Sequence, residues 1–243
     1  MVKPGASAAS PPRRPVYRAR VERIRDHNSD TRSLFLRLVD DGRFAFIPGQ
    51  FISISLALEN ETRVRPYTIA SSPEDAGPIE ICFNRVPGGA GVRYLFERKS
   101  GDELQFTGPF GAFTMERAPA QECVFVAEGT AIAPMRPMIR RALGTPAPPP
   151  MSLLYGAIDS EHMLYRDEIA KWSAAGIKFT PIIAPAAELC ARLIAEAQRR
   201  WIDADSGRGR QFYVCGVGKG VLALRDLLRG AGYERRDVHY EQW

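Results

Sequence analysis

The sequence predicts an antiparallel β-barrel followed by an α/β domain with a parallel sheet, and three observations carry that prediction. From Val16 to about Met115 apolar residues alternate with polar ones at the period of a strand. Turn residues interrupt this half at short intervals, as in small antiparallel barrels. After residue 118 short apolar strands alternate with helix-length stretches, which is the pattern of βαβ units.

In the first half, Leu34, Leu36 and Leu38 alternate with Phe35 and Arg37, and Ile52, Ile54 and Leu56 alternate with Ser53, Ser55 and Ala57. Pro78 to Val86 reads as a further strand and Glu103 to Thr107 as a short one. The turns are Asp40-Asp41-Gly42, Pro48-Gly49, Pro87-Gly88-Gly89, Ser100-Gly101-Asp102 and Gly108-Pro109. One helix interrupts this half, from about Gly91 to Lys99.

In the second half the expected strands are Glu122–Ala127, Ser152–Tyr155, Lys178–Ile183, Gln211–Cys215 and Asp237–Glu241. The expected helices are Ala133–Leu143, Glu161–Ala174, Ala186–Trp201 and Lys219–Ala231. The expected division is a disordered tail at 1–15, a barrel domain at 16–117 and an α/β domain at 118–243. Neither half shows an internal repeat.

Composition narrows the function classes. Hydrophobic content of 45% with 25% charged residues is that of an ordinary globular protein, and no apolar run is long enough to span a membrane. The start is rich in Pro, Ala, Ser and Gly without an apolar core, so a cytoplasmic location is expected. The four cysteines, Cys82, Cys123, Cys190 and Cys215, are too widely spaced for a zinc site, a disulfide framework or a plant-type iron–sulfur cluster. His27, His162 and His239 have no metal-ligand spacing and read as surface or helix-end residues. The net charge of +5 is spread over scattered basic residues, which disfavours nucleic acid and favours acidic partners.

Arg65-Pro66-Tyr67-Thr68 is the densest cluster of chemistry. In a strand, Arg65 and Tyr67 share one face and Thr68 takes the other. A guanidinium holds phosphate bidentately, a phenol ring packs on a heterocycle, and a hydroxyl bonds a ring edge. A flavin nucleotide has those three parts, although an exposed edge strand explains the tetrapeptide equally well. Ala127-Glu128-Gly129-Thr130-Ala131-Ile132-Ala133-Pro134 joins a strand to a helix through small residues, which suits a pyrophosphate or an ordinary βα turn. Gly88-Gly89-Ala90-Gly91 makes a second such turn, or a plain hairpin. Cys215 ends a strand at the same sheet edge, and Trp243 either caps a flat cofactor or fills a seam.

With Gly108-Pro109-Phe110-Gly111, Tyr155-Gly156, Cys215-Gly216, Glu241-Gln242-Trp243 and Pro48-Gly49-Gln50-Phe51, these motifs stand in an order and spacing that resembles the ferredoxin–NADP reductase-like flavoproteins, over nearly all of Val16 to Trp243. The resemblance implies a six-stranded flavin-binding barrel carrying FAD and a Rossmann-like domain taking NADH or NADPH. It also implies that Arg65 binds flavin phosphates, Tyr67 packs beside the isoalloxazine and ribityl, Pro66 is part of the same cofactor-binding segment, and Thr68 bonds near flavin N5. Asn84 and Val86 would add backbone contacts, and Gly89, Ala90, Gly91 and Val92 would meet the flavin pyrophosphate. Gly129, Thr130, Ala131 and Pro134 would hold the dinucleotide. Cys215, Gly216 and Glu241 would lie beside the nicotinamide, and Trp243 would cover the flavin. The implied partner is a separate acidic electron carrier: ferredoxin, flavodoxin or an oxygenase component. An oxygenase reductase, a flavin or ferric reductase, and a flavin subunit without its own turnover are the alternatives.

Four departures stand out. Val92 replaces a usual Ser or Thr, and Glu128 and Ala131 stand where glycines are common. No arginine follows Gly156-Ala157-Ile158, and Pro181 to Pro185 lacks the Ser-Arg pair suited to a 2′-phosphate. Val217-Gly218-Lys219-Gly220 follows Cys-Gly in place of the usual prolines and methionine. These departures favour NADH at least as much as NADPH.

Overall fold

The structure, a computed structural model, describes residues 15–40, 42–86, 88–216 and 218–243. The expected tail, apart from Pro15, and the turn residues Asp41, Pro87 and Val217 lie outside the described residues.

Strands β1 (Val16–Asp26), β2 (Thr31–Leu38), β3 (Phe51–Ala57), β4 (Thr62–Thr68), β5 (Ile79–Asn84) and β6 (Glu103–Phe110) form an antiparallel six-stranded sheet in the order β4-β3-β6-β1-β2-β5. The two ends of that order meet through a bridge between Ile69 and Ile81, which closes the barrel. Its interior holds the apolar set that the alternation selects: Leu34, Leu36, Ile52, Ile54, Leu56, Ile81 and Phe106. The predicted helix is α1 (Ala90–Phe96), with Leu95 buried in the barrel.

Five parallel strands make the second sheet: β7 (Glu122–Glu128), β8 (Met151–Ala157), β9 (Lys178–Ile183), β10 (Arg210–Gly216) and β11 (Val238–Gln242), in the order β11-β10-β7-β8-β9. Helices α2 (Ile132–Leu143) and α3 (Arg166–Ala174) cover one face, and α4 (Ala186–Gln198) and α5 (Lys219–Gly230) the other. Phe125, Ala127 and Cys215 point to the α2 side, in a core that continues into Ala70, Cys82 and Phe113 beside the barrel. Val124, Val126 and Val214 point to the α4–α5 side.

Helix α3 begins at Arg166 rather than at the expected Glu161. Asp159 Oδ1 accepts from the amides of Glu161 and His162 at 2.8 and 2.9 Å, which makes a turn there, and Tyr165 has φ 55°. Helix α4 stops at Gln198 instead of Trp201, and a wider turn over Arg199–Asp203 keeps the indole of Trp201 buried. None of the three histidines is fully exposed, and His162 is half-buried between Asp159 and Asp30. His27 is half-buried with Nε2 at 2.9 Å from Ser33 Oγ, and His239 is half-buried beside Gln211.

Helix α2 fastens the two sheets together. Arg136 Nη1 donates to Glu80 Oε2 and to the Ala70 carbonyl at 2.7 Å, and the same guanidinium bonds Glu168. Arg140 pairs with Asp75 and Arg141 with Glu74, both carboxylates belonging to the barrel side. Glu80 is only 2% exposed and also accepts from Ser33 Oγ and Tyr165 Oη at 2.7 and 2.9 Å, so its buried charge is fully bonded.

Candidate active site

On the barrel, β4 leaves Arg65 and Pro66 exposed and Tyr67 half-buried and buries Thr68, so burial rises towards the end of the strand instead of alternating along it. Arg65 forms no ion pair among the described residues; Nη1 donates only to the neighbouring Val64 carbonyl at 2.9 Å. Burial pushes the Tyr67 phenol up to about 12, against the opposing charge of Arg65, so it stays neutral and packs edge-on against Phe83 at 5.7 Å. The turn before α1 folds onto this pair. A Cβ on Gly91 would sit 2.8 Å from Leu56 Cδ1, 3.6 Å from Arg65 Cγ and 3.8 Å from Tyr67 Oη. That close approach, rather than sequence adjacency, unites the two motifs. Val92 packs against the barrel core, and the Val86 carbonyl accepts from Gly89 N at 3.0 Å to shape the turn.

In the second sheet the turn after β7 is a single 3₁₀ turn, Gly129–Ala131, running straight into α2 with Pro134 in its first turn. Gly129 has φ +54°, a left-handed conformation that a side chain disfavours. Its carbonyl accepts from Tyr155 Oη at 2.9 Å, and Leu164 N donates to the same phenol oxygen at 3.2 Å. Tyr155 is therefore a positioning residue to which the sequence reading assigned no role of its own. Its signal was a fully buried phenol in an otherwise apolar strand, which must find a polar partner.

The carboxyl ends of β10 and β11 bring Cys215, Gly216, Glu241 and Trp243 together, with Cys215 in register with Glu241. The chain end is tied down: Trp243 N donates to the Gly216 carbonyl at 3.1 Å and Gly218 N to the Trp243 carbonyl at 3.3 Å. Its indole Nε1 donates to Cys215 Sγ at 3.1 Å. Burial, then the Glu241 charge, pushes the Cys215 thiol up, so it remains protonated. Glu241 Oε2 is buried without a hydrogen-bond partner among the described residues, and burial pushes its carboxyl up to about 7.

Beside the ion pairs of α2, contacts at the site itself join these halves. Thr130 Oγ1 donates to Asn84 Oδ1 at 3.4 Å, and the Trp243 indole stands edge-on to Phe51 at 6.4 Å. Phe51 is the strand partner of Thr68, so the ring that Trp243 meets belongs to the residue paired with Thr68 in the sheet.

Residues 18–115 match the oxidoreductase FAD-binding domain family and residues 125–222 the oxidoreductase NAD-binding domain family. The chain is 29% identical to a ferredoxin–NADP reductase B of Sorangium cellulosum, covering 93% of this chain and 97% of that protein.

The chain belongs to the ferredoxin–NADP reductase-like flavoproteins.

It is an oxidoreductase that uses FAD and a nicotinamide dinucleotide in electron transfer to a separate acceptor. The reductase is also 30% identical to the glycine betaine monooxygenase reductase subunit of Pseudomonas aeruginosa, over 82% of this chain and 56% of that one. It thus spans little more than half of that longer relative. Its fold is shared with a ferredoxin NADP⁺ reductase from Neisseria gonorrhoeae, with TM-score 0.78 and 16% identity over 93% of this chain and 98% of that one. The Amycolatopsis cytochrome P450 reductase GcoB has the same fold at TM-score 0.79 and 22% identity, over 95% and 71% of the two chains.

These residues fit the flavin. The Gly91 cradle leaves room only for backbone beside Arg65, and the Arg65 charge is unpaired among the described residues. When bound, FAD supplies the ability to accept a hydride and release electrons singly.

Proposed function

We propose that this reductase takes hydride from NADH at least as readily as from NADPH and delivers single electrons to a separate acidic protein of the ferredoxin, flavodoxin or oxygenase-component type. The observation that carries the reading is the convergence, across one seam, of Arg65, Tyr67 and Gly91 on the barrel with Cys215, Glu241 and Trp243 on the sheet. Arg65 with the Gly89–Val92 turn holds the flavin phosphates, Pro66 and Tyr67 line its ring system, and Thr68 offers a hydroxyl that has no protein partner among the described residues. Asn84 and Val86 flank it. Gly129, Thr130, Ala131 and Pro134 receive the dinucleotide, with Cys215, Gly216 and Glu241 beside the nicotinamide and Trp243 against the flavin. We take the boundary between the two functional units at 117/118. Holding donor and acceptor rings in near contact is the contribution that this arrangement makes to rate.

The adenosine end supports NADH. Among the described residues Ile158 and Ile183, 41% and 46% exposed, stand at the ends of β8 and β9, and the loops that follow carry Asp159 and Glu161 but no arginine or lysine. These loops themselves give a 2′-phosphate no cation, and the basic residue beside them is the exposed Arg166 that opens α3, in a cavity with Ser160 and Ile183. For the acceptor, a net charge of +5 favours encounter with an acidic protein. No described helix is long and apolar enough to cross a membrane, and we place the reductase in the cytoplasm.

The deciding experiment is the visible spectrum of the purified protein, followed by anaerobic stopped-flow reduction with each nucleotide. Yellow protein reduced by NADH is expected. A colourless protein that FAD cannot reconstitute overturns the flavin site, and a large advantage for NADPH overturns the nucleotide preference.

A further inference from the structure

Glu128 ends β7 at the place where the sheet order reverses: the chain leaves β7 for α2 on one face and β10 for α5 on the other. The crevice between such diverging connections, at the carboxyl ends of parallel strands, is where open α/β sheets take nucleotides. The Glu128 side chain follows Val124 and Val126 to the α4–α5 side. There it lines a small cavity with Cys190, Gly216, Gly220 and Val221, and its Oε2 lies 3.9 Å from where a Cβ on Gly216 would be. It is half-buried and has no hydrogen bond or ion pair among the described residues.

The groups around it do not compensate its charge. Helix α4 contributes the Cys190 thiol, pushed up by burial and then by Glu128 itself. Helix α5 contributes the exposed Lys219, which forms no ion pair with it. Strand β8 offers only Gly156 in register, while Cys215 of β10 and Glu241 of β11 form their own pair on the Trp243 side. Burial holds the Glu128 carboxyl above the usual carboxylate range.

An unpaired carboxylate one residue before the turn that takes a diphosphate sets like charges against each other in a partly desolvated crevice. Protonation turns the same group into a donor for phosphate oxygen. We propose that Glu128 takes up one proton when the dinucleotide binds and in its acid form donates a hydrogen bond to the diphosphate. The inference rests on the assignment of the Gly129–Pro134 turn to the dinucleotide. One proton passes from solvent to the carboxylate, and no other bond changes. Both nucleotides share the diphosphate, so the effect is equal for NAD⁺ and NADP⁺.

Calorimetric titration of the FAD-loaded protein with NAD⁺ and NADP⁺, in buffers of different ionisation enthalpy, tests this. Wild type should take up close to one proton above neutral pH, and Kd should rise by up to about tenfold per pH unit there. Glu128→Gln, whose amide supplies the N–H permanently, should take up none, bind several-fold more tightly at pH 8 and lose the pH slope. Glu128→Thr should lose the slope as well, and flavin content with melting temperature confirms that each variant is folded. Unchanged uptake in Glu128→Gln, or weaker binding by it, overturns the proposal. If wild type binds neither nucleotide at any pH yet keeps its FAD, the dinucleotide assignment falls with it.

Discussion

On the α2 side of the domain seam Arg136, Arg140 and Arg141 all reach carboxylates of the barrel half, whereas at the site the halves meet through the Trp243 edge and a 3.4 Å hydrogen bond, with Asn28 and Asp30 of the barrel reaching Glu161 and His162 at 3.2 and 3.4 Å. The first side is cross-linked by directional charge pairs, one of them deeply buried. The second leaves Arg65, Thr68 and Glu241 with unused bonding capacity. The difference shows how one seam serves two needs: the paired side fixes the angle between the sheets, and the unsatisfied side keeps its polar groups for ligands.

Breaking the paired side should have the largest effect. Arg136→Met leaves Glu80 charged and buried, and stability measured by urea unfolding should fall by about 3–5 kcal/mol. Glu80→Gln in the same background should recover part of that loss; no recovery would mean that the pair does not couple.

On the open side, Arg65→Ala removes the cation offered to the flavin phosphates. FAD affinity, followed by flavin fluorescence, should drop by about 1.5–3 kcal/mol, roughly ten- to a hundredfold. Stability of the flavin-free protein should stay within about 0.5 kcal/mol, because the side chain is exposed and forms no ion pair among the described residues. A large loss of that stability would show Arg65 to be structural.

Gly91→Ala presses a methyl group against Leu56 and towards Arg65 and Tyr67, and should cost about 1–3 kcal/mol, read as weaker FAD binding with a smaller loss of melting temperature. Equal losses in both would locate the strain in the barrel core.

Glu241 gives a smaller, pH-dependent effect. Its folded carboxyl is raised to about 7 by burial, so the folded state holds a proton that the unfolded state has lost. Its contribution therefore favours folding at low pH and declines as pH rises from the ordinary carboxylate range through about 7. Glu241→Gln should raise the melting temperature at pH 8 and leave it nearly unchanged at pH 4. A uniform shift at both values would rule out titration as the cause.

Trp243→Ser is expected to act on ligand binding more than on stability, since the indole is 42% exposed. If the ring occupies the face that nicotinamide needs, the variant should bind nicotinamide more tightly and alter the charge-transfer band. Unchanged binding and spectra would leave the indole as packing against Phe51 and Cys215.

The two sheets, their parallel and antiparallel character and most strand limits were legible in sequence, because a period of two and the switch to βαβ spacing are local signals. The late start of α3 was not, because Asp159 bonds two backbone amides and so competes with the helix through side-chain chemistry that apolar periodicity does not register. Arg136 was invisible as a linchpin because its partner Glu80 lies 56 residues away.

For the site, sequence by itself determined which residue types are present: the Arg65–Thr68 strand, the two small-residue turns, and the Cys215 and Trp243 strand ends. It also exposed Glu128 as a departure. Tertiary structure alone decided that Gly91 lies against Arg65, that Tyr155 holds Gly129, that Trp243 bonds Cys215, and that Glu128 stands in the crevice unpaired among the described residues. Backbone periodicity is written in neighbouring residues, but charge pairing and desolvation depend on which distant groups the sheet order brings together.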